Sequence, residues 1–332
     1  MSSAESESET AQLPEDLPPV QPPSAGFIIQ LFVVPGLIVL AIVGVWGLFG
    51  KLATGEHDWR GLLVELRHPN EHRRWRGALG LAQVLKADQE MKASGQHLTE
   101  NREIAQALSE VLTDELKRAG HSDNDLKYEA FLARTLGMFD LPDVVLPPLE
   151  QAMQFGNDRD VRKNALGSVA VMADRFAERR EPLVWPGLSD ELLKVSRDDD
   201  PLIRQLSAFT LGLFDDEWAR SRLEVMLGDS DADTRINAAV GLARHGDSRG
   251  IDVFTEVLKS AAEARQAGTP AEYEQFLGLK NCLSAIERCA AQMNPAQRHD
   301  LVALLNPLAA DFREPRIRMA AKSALQALAE AR

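Results

Sequence analysis

The chain has 332 residues, 45% hydrophobic and 26% charged, with a formal net charge of −13. These are ordinary globular proportions with ample apolar material for a core, and the acidic balance excludes broad nucleic-acid binding, which needs a positive footprint. Aromatics make up only 6%, while Ala and Leu are abundant, a balance that favours helix over sheet.

Residues 1–24 are rich in Ser, Glu and Pro and carry Glu5, Glu7, Glu9, Glu15 and Asp16 with no base. Such a tail buries little and is expected to be a disordered, solvated extension, with polyproline character near Pro18 to Pro23. The stretch from Phe27 to Phe49 follows. It is 23 residues long, holds no charge, and has Gln30 as its only strongly polar side chain. As a helix it spans about 34 Å, enough to cross a hydrocarbon core of about 30 Å. The preceding tail is acidic and the apolar run is long, so the stretch reads as a retained single-pass anchor, not a cleaved signal peptide. The N-terminal flank has no Lys or Arg, whereas Lys51, Arg60, Arg67, Arg73, Arg74 and Arg76 follow. The positive-inside rule then places the tail outside and everything after residue 50 in the cytoplasm, at the cell membrane. Residues 50–57 form a short linker, and residues 58–332 form the soluble domain.

From there on the pattern is one of helical pairs, with apolar residues recurring at three and four and short polar turns between. Six stretches align on Arg74, Glu129, Arg162, Arg204, Arg235 and Arg318. Four residues earlier lie Asn70, Asp125, Asp158, Asp200, Asp231 and Glu314, each placed to cap the second helix of its pair. Three later lie Gly77, Leu132, Ala165, Ser207, Ala238 and Ala321, and seven later Leu81, Leu136, Val169, Leu211, Leu242 and Leu325. Eight later come Ala82, Gly137, Ala170, Gly212, Ala243 and Gln326. Small residues at +3 and +8 let helices approach, and the Leu or Val at +7 fills the core between stacked pairs. The Arg lies in the first turn, where it opposes the helix dipole. An acidic partner in the next turn would compensate it, forming a ladder through the stack.

This pattern resembles the HEAT repeat, in which an Asp or Asp-Pro turn precedes Val-Arg and Ala at the start of the second helix. It stands here as Asp200-Pro201-Leu202-Ile203-Arg204, as Asp158 to Val161-Arg162, and as Ile317-Arg318. The resemblance covers most of residues 56–332. It implies an all-α solenoid of about seven helix pairs, the second and sixth less regular than the rest. The sixth would use a helix from about Glu274 to Ala291. Glu129 replaces the ladder Arg, which puts one rung in doubt. Polar insertions are expected at Lys86 to Asn101 and Lys259 to Ala271.

Chemistry-bearing motifs are few. The chain has no phosphate loop, no GxSxG elbow and no CxxC pair. His68 and His72 flank Pro69 and read as a turn. Asp229, Asp231 and Asp233 mimic an EF-hand start, but Thr234 and Val240 stand where Gly and Glu are required. Cys282 and Cys289 lie too far apart on one helix for a disulfide and read as buried, inert thiols suited to a reducing compartment. The one local anomaly is Arg67 to Arg76, RHPNEHRRWR. There Arg73, Trp75 and Arg76 are candidates for contact with anionic lipid or a partner.

These features point to a non-enzymatic, membrane-tethered scaffold that binds protein, with no cofactor, metal, nucleic acid or small-molecule substrate. The rival readings are an anionic-lipid sensor acting through Arg67–Arg76 and an enzyme. Some bilin lyase subunits and some alkyl-base DNA glycosylases are similar to short HEAT-type repeats, but neither family's diagnostic motif can be placed on residues here.

Overall fold

The computed structural model describes residues 26, 33–45, 59–91, 95–267 and 273–331. The chain divides into two units, Met1–His57 and Asp58–Arg332. In the first, residues 33–45 are helical (α1). The rest of the Phe27–Phe49 stretch, like the tail and the linker, lies outside the described residues. Among the described residues, no helix is long and apolar enough to cross a membrane.

The second unit is a run of helix pairs: α2 (Trp59–Leu66) with α3 (Glu71–Met91), α4 (Arg102–Leu116) with α5 (Asp123–Leu136), and α6 (Pro142–Met153) with α7 (Arg159–Glu178). Then come α8 (Leu188–Val195) with α9 (Pro201–Leu211), α10 (Glu217–Met226) with α11 (Ala232–Arg244), α12 (Ile251–Ala267) with α13 (Tyr273–Cys289), and α14 (Pro295–Asp311) with α15 (Pro315–Glu330). The described residues thus hold seven pairs, the sixth among them. The second helices stack in order, α3 on α5 and so on to α13 on α15, and form one layer. The first helices form the other, with α2 on α4, α4 on α6, α6 on α8, α8 on α10 and α12 on α14.

Local chemistry explains where the second helices begin. Asp158 accepts from the Asp160 amide at 2.8 Å, Asp200 from Leu202 at 2.9 Å, Asp231 from Thr234 at 2.8 Å and Asn70 from Arg73 at 3.2 Å. Each such cap stabilises its helix by about 1 kcal/mol. The expectation for Asp125 is corrected. Helix α5 starts nearly a turn earlier, Ser122 is its cap, and Asp125 is the third residue of a capping box whose carboxylate returns to the Ser122 amide. Glu314 sits at the cap position of α15 without a side-chain bond, and Pro315 opens that helix. The two expected insertions also shrink, because α3 runs on to Met91 and α12 to Ala267.

The aligned columns make the core. Leu132, Ala165, Ser207, Ala238 and Ala321 at +3 are fully buried, as are Leu81, Leu136, Val169, Leu211 and Leu242 at +7. Leu325 is only half-buried and Gln326 is exposed, because no further described helix covers α15. The apolar interior falls into two clusters that meet on α11, where Leu242 belongs to the first and Ala243 to the second. Cys282 and Cys289 are buried in the second, and burial pushes both thiols up to about 12.

The +8 column works by contact with position +6 of the next second helix. A Cβ on Gly137 would lie 2.6 Å from Ser168 Oγ, and one on Gly212 would lie 2.6 Å from Gly241 Cα. At the second site backbone meets backbone, so nothing flexible can give way. Gly212→Ala should therefore destabilise the protein by about 1–3 kcal/mol, measured by urea denaturation. An unchanged midpoint would mean that α9 and α11 do not approach this closely.

Candidate interaction surface on the second helices

The repeated Arg makes two kinds of bond. At Arg204, Arg235 and Arg318 it turns back onto the carbonyls left free at the end of its own A–B turn. Arg204 Nη1 donates to the Asp198 and Asp199 carbonyls at 3.0 Å, Arg235 Nη1 to Asp229 at 3.0 Å, and Arg318 Nη1 to Phe312 at 2.6 Å. These carbonyls supply the negative ends that offset a cation in the first turn of a helix. In all of the repeated arginines but Arg318, the guanidinium reaches a carboxylate of the next repeat. Arg204 grips Asp229 with two bonds of 2.9 Å. Arg162 pairs with Asp198, both buried, and Arg235 pairs with the exposed Glu256 at 3.1 Å. Arg74 reaches Glu115 at 3.0 Å and Asp125 at 3.4 Å. Burial alone would raise the Asp229 carboxyl, but the bonds from Arg204 and from the Asp231 amide hold it below the usual range.

The acidic rungs are thus Asp198 and Asp229, two residues ahead of the caps that the sequence singles out. The caps Asp200 and Asp231 take other partners: Asp200 pairs with Arg159, and Asp231 accepts from Gln205 Nε2 at 3.0 Å. The pattern breaks between the second and third repeats, where both members are replaced. Glu129 stands for the Arg and Gly156 for the acid. Glu129 is 1% exposed, with His121 Nε2 3.4 Å from its carboxylate. Burial raises its carboxyl above the ordinary glutamate range, with His121 pulling the other way. The joint is held at the opposite helix ends. Arg175 donates to the carbonyls of Gly137 and Phe139 at 2.8 and 2.9 Å and to Asp140 at 2.8 Å, while Ser168 Oγ donates to the Ala133 carbonyl at 2.8 Å.

With +3 and +7 turned to the core, +5 and +9 face away from the first-helix layer. The +5 column reads Leu79, Arg134, Gly167, Phe209, Val240 and Ser323. Leu79 is 44% exposed and Phe209 42%, and Val171 in the +9 column is 53% exposed. Arg244 of α11 lies over the Phe209 ring at 5.9 Å and reaches Asp174 of α7 at 3.4 Å. Side chains from the third and fifth repeats therefore meet above α9, so the face curves inward there. Sequence columns do not show this, because the two residues are 70 apart.

The basic cluster Arg67 to Arg76 opens this face, and its charges are largely answered. Arg67 pairs with Glu110, and Arg74 belongs to the ladder. Arg73 and Arg76 share the single carboxylate of Glu65 yet stay 46% and 64% exposed. Trp75 is half-buried, with its ring 5.3 Å from Tyr128 and 5.6 Å from Phe131. His68 lies in the turn, accepting from the Asn70 amide at 3.0 Å and touching Arg73 at 2.8 Å. An open cleft of about 600 Å³ lies over α3, bounded by Leu62, His72, Trp75, Arg76, Leu79 and Asn124.

A family model described as HEAT repeats matches residues 189–269, the fourth to sixth pairs of the stack. Over those residues the chain matches HEAT repeats, within an all-α stack of helix pairs. Solved structures of similar fold include Escherichia coli YibA, at 16% identity and TM-score 0.45, covering 85% of this chain and 96% of that one. A designed armadillo repeat protein in complex with the peptide (KR)4 matches at 16% identity and TM-score 0.42, covering 82% and 99%. Human deoxyhypusine hydroxylase in complex with glycerol matches at 17% and 0.32, covering 85% and 99%. No curated protein sequence matches the chain at a significant level.

The buried Glu129 gives this HEAT-type stack a pH signature. A carboxyl whose folded value is raised keeps its proton in the native state after the unfolded chain has released it. Its contribution is fully present below the ordinary glutamate value of about 4.3 and is lost as pH rises through its own raised value. In urea titrations across that window, Glu129→Gln should show a flatter dependence of stability on pH than the wild type. Parallel curves would place the titration elsewhere.

Proposed function

We propose that this protein is a non-enzymatic scaffold, tethered to the cell membrane by Phe27–Phe49, whose second-helix face binds a protein partner in the cytoplasm. The observation that carries the reading is the set of exposed apolar side chains Leu79, Val171 and Phe209 on the outward side of the second helices of the first, third and fourth repeats. Large apolar side chains left uncovered on one face of a repeat stack, in three repeats here, are what a partner surface covers. No cofactor, nucleic acid or small-molecule substrate enters the reading.

Tethering rests on the uncharged 23-residue stretch and on the basic residues that follow it. A feature of α1 supports it. All nine large apolar side chains between Val33 and Val45 are 47–68% exposed, on every side of the helix. A helix apolar all round suits hydrocarbon better than water. The basic flank would leave the short tail outside and the repeats inside.

The test uses the full chain in its native membrane. Alkaline carbonate should leave it in the pellet, and protease applied outside intact cells should spare residues 60–332. Cross-linking should give a defined protein adduct that Val171→Asp with Phe209→Asp abolishes; both side chains are exposed, so the fold is expected to persist. Release by carbonate would contradict the tether, and an adduct indifferent to the double variant would contradict the surface.

A further inference from the structure

The second-helix face changes its charge along the stack. Over repeats three to five it carries Asp160, Asp174 and Asp233, with Lys163 and Arg244 paired to the first two. Over repeats one and two it is cationic. Helix α5 presents Lys127 and Arg134, both exposed and neither bonded to a carboxylate among the described residues. Helix α3 presents Arg76, with Arg73 beside it, and the two share one carboxylate. Four fixed cations thus stand against three carboxylates, Glu65, Glu71 and Asp123, of which Glu65 is taken up by Arg73 and Arg76 and Glu71 accepts from the Asn124 side-chain amide. Between the helices, Trp75 and Phe131 form an aromatic ledge with ring centroids 5.6 Å apart. Leu79 projects over the cleft, which is open to solvent.

We propose that this groove over α3 and α5 binds an acidic linear peptide segment of the partner. An apolar side chain of that segment rests on Leu79 and the Trp75–Phe131 ledge, and its carboxylates meet Arg76, Lys127 and Arg134. This rests on the second-helix face being the partner surface, and it adds where on that face the partner is anchored and what chemistry anchors it. The charge argument is one of contrast. In a molecule of net charge −13, an acidic segment is repelled by most of the surface and attracted to this end, which sets both encounter and register. The cleft of about 600 Å³ takes in Trp75, Arg76 and Leu79 and holds the apolar part of the segment, within the range of about 300–1,000 Å³ usual for ligand sites; Lys127 and Arg134 lie on α5 outside its lining.

Two other polyanions fit less well. A membrane surface calls for an aromatic side chain free to enter the headgroups, and Trp75 is held against Tyr128 and Phe131. A nucleic acid strand calls for a basic track longer than two repeats, and the track turns acidic at the third.

The test is selection of a random twelve-residue peptide library on the full chain held in nanodiscs of neutral lipid, followed by anisotropy of the selected peptides. Selected sequences should carry net negative charge with at least one large apolar residue. Lys127→Glu with Arg134→Glu should weaken them at least tenfold at an unchanged melting temperature. Lys127→Ala with Arg134→Ala serves as the milder check, should the reversal disturb the fold. Val225→Asp, at an exposed position of the first-helix layer, should leave binding unchanged. Neutral or basic sequences, or indifference to both pairs of substitutions, would overturn the proposal. So would displacement of the peptide by anionic phospholipid vesicles or oligothymidylate with the same dependence on Lys127 and Arg134. Peptides that depend on Phe209 and not on Lys127 would overturn it and leave the scaffold reading standing. No enrichment at all would count against both.

Discussion

An arginine one turn into a helix is in the wrong place by the dipole alone. This fold depends on making that position favourable. The guanidinium is planar and carries five donors, so one edge can close the carbonyls of its own turn while the other takes a carboxylate of the next repeat. Arg204 does both, with Asp198 and Asp199 behind it and Asp229 ahead. A lysine has no such fork. One side chain thereby sets the turn within a pair and the offset between pairs. The small +3 and +8 residues then let the second helices close to that offset, down to the backbone contact of Gly212 with Gly241.

The joint between the second and third repeats shows that the ladder is one solution among several. There the Arg and the acid disappear together, as Glu129 and Gly156, and α5 and α7 are locked at their other ends by Arg175 and by Ser168 against Gly137. The stack continues across the exchange, so the face it presents is continuous. What differs is the local electrostatics. Arg74, Arg162, Arg204 and Arg235 are each answered by a carboxylate, whereas α5 leaves Lys127 and Arg134 on the surface with no carboxylate bonded to either among the described residues. The basic end of the face is thus a by-product of which side chains the stack uses for its own cohesion.

Much of this was legible in the sequence, because stacking imposes the same demand at the same spacing. The +3 and +7 columns, the caps at Asp158, Asp200 and Asp231, and the presence of a sixth pair all follow from period alone. The acidic rungs did not. Asp198, Asp199 and Asp200 are three adjacent carboxylates, and only the turn geometry decides that the first faces Arg162 and the last caps α9. Arg67 to Arg76 reads as a free basic patch because its carboxylates lie elsewhere in the chain, at Glu65, Glu110 and Glu115. Phe209 and Arg244 carried no signal either. Whether a +5 or +9 side chain is covered depends on which face of the layer is left open, and that is a property of the stack, not of the repeat.

A repeat stack held by cross-repeat ion pairs keeps its partner face in register only if those pairs are coupled energetically as well as geometrically. The double-mutant cycle of Arg204→Ala and Asp229→Ala in urea denaturation measures this most directly. The account predicts a coupling of about 1–3 kcal/mol, each single change costing nearly as much as the double. Effects that add to within about 0.5 kcal/mol would contradict it and leave the apolar columns alone to set the stack.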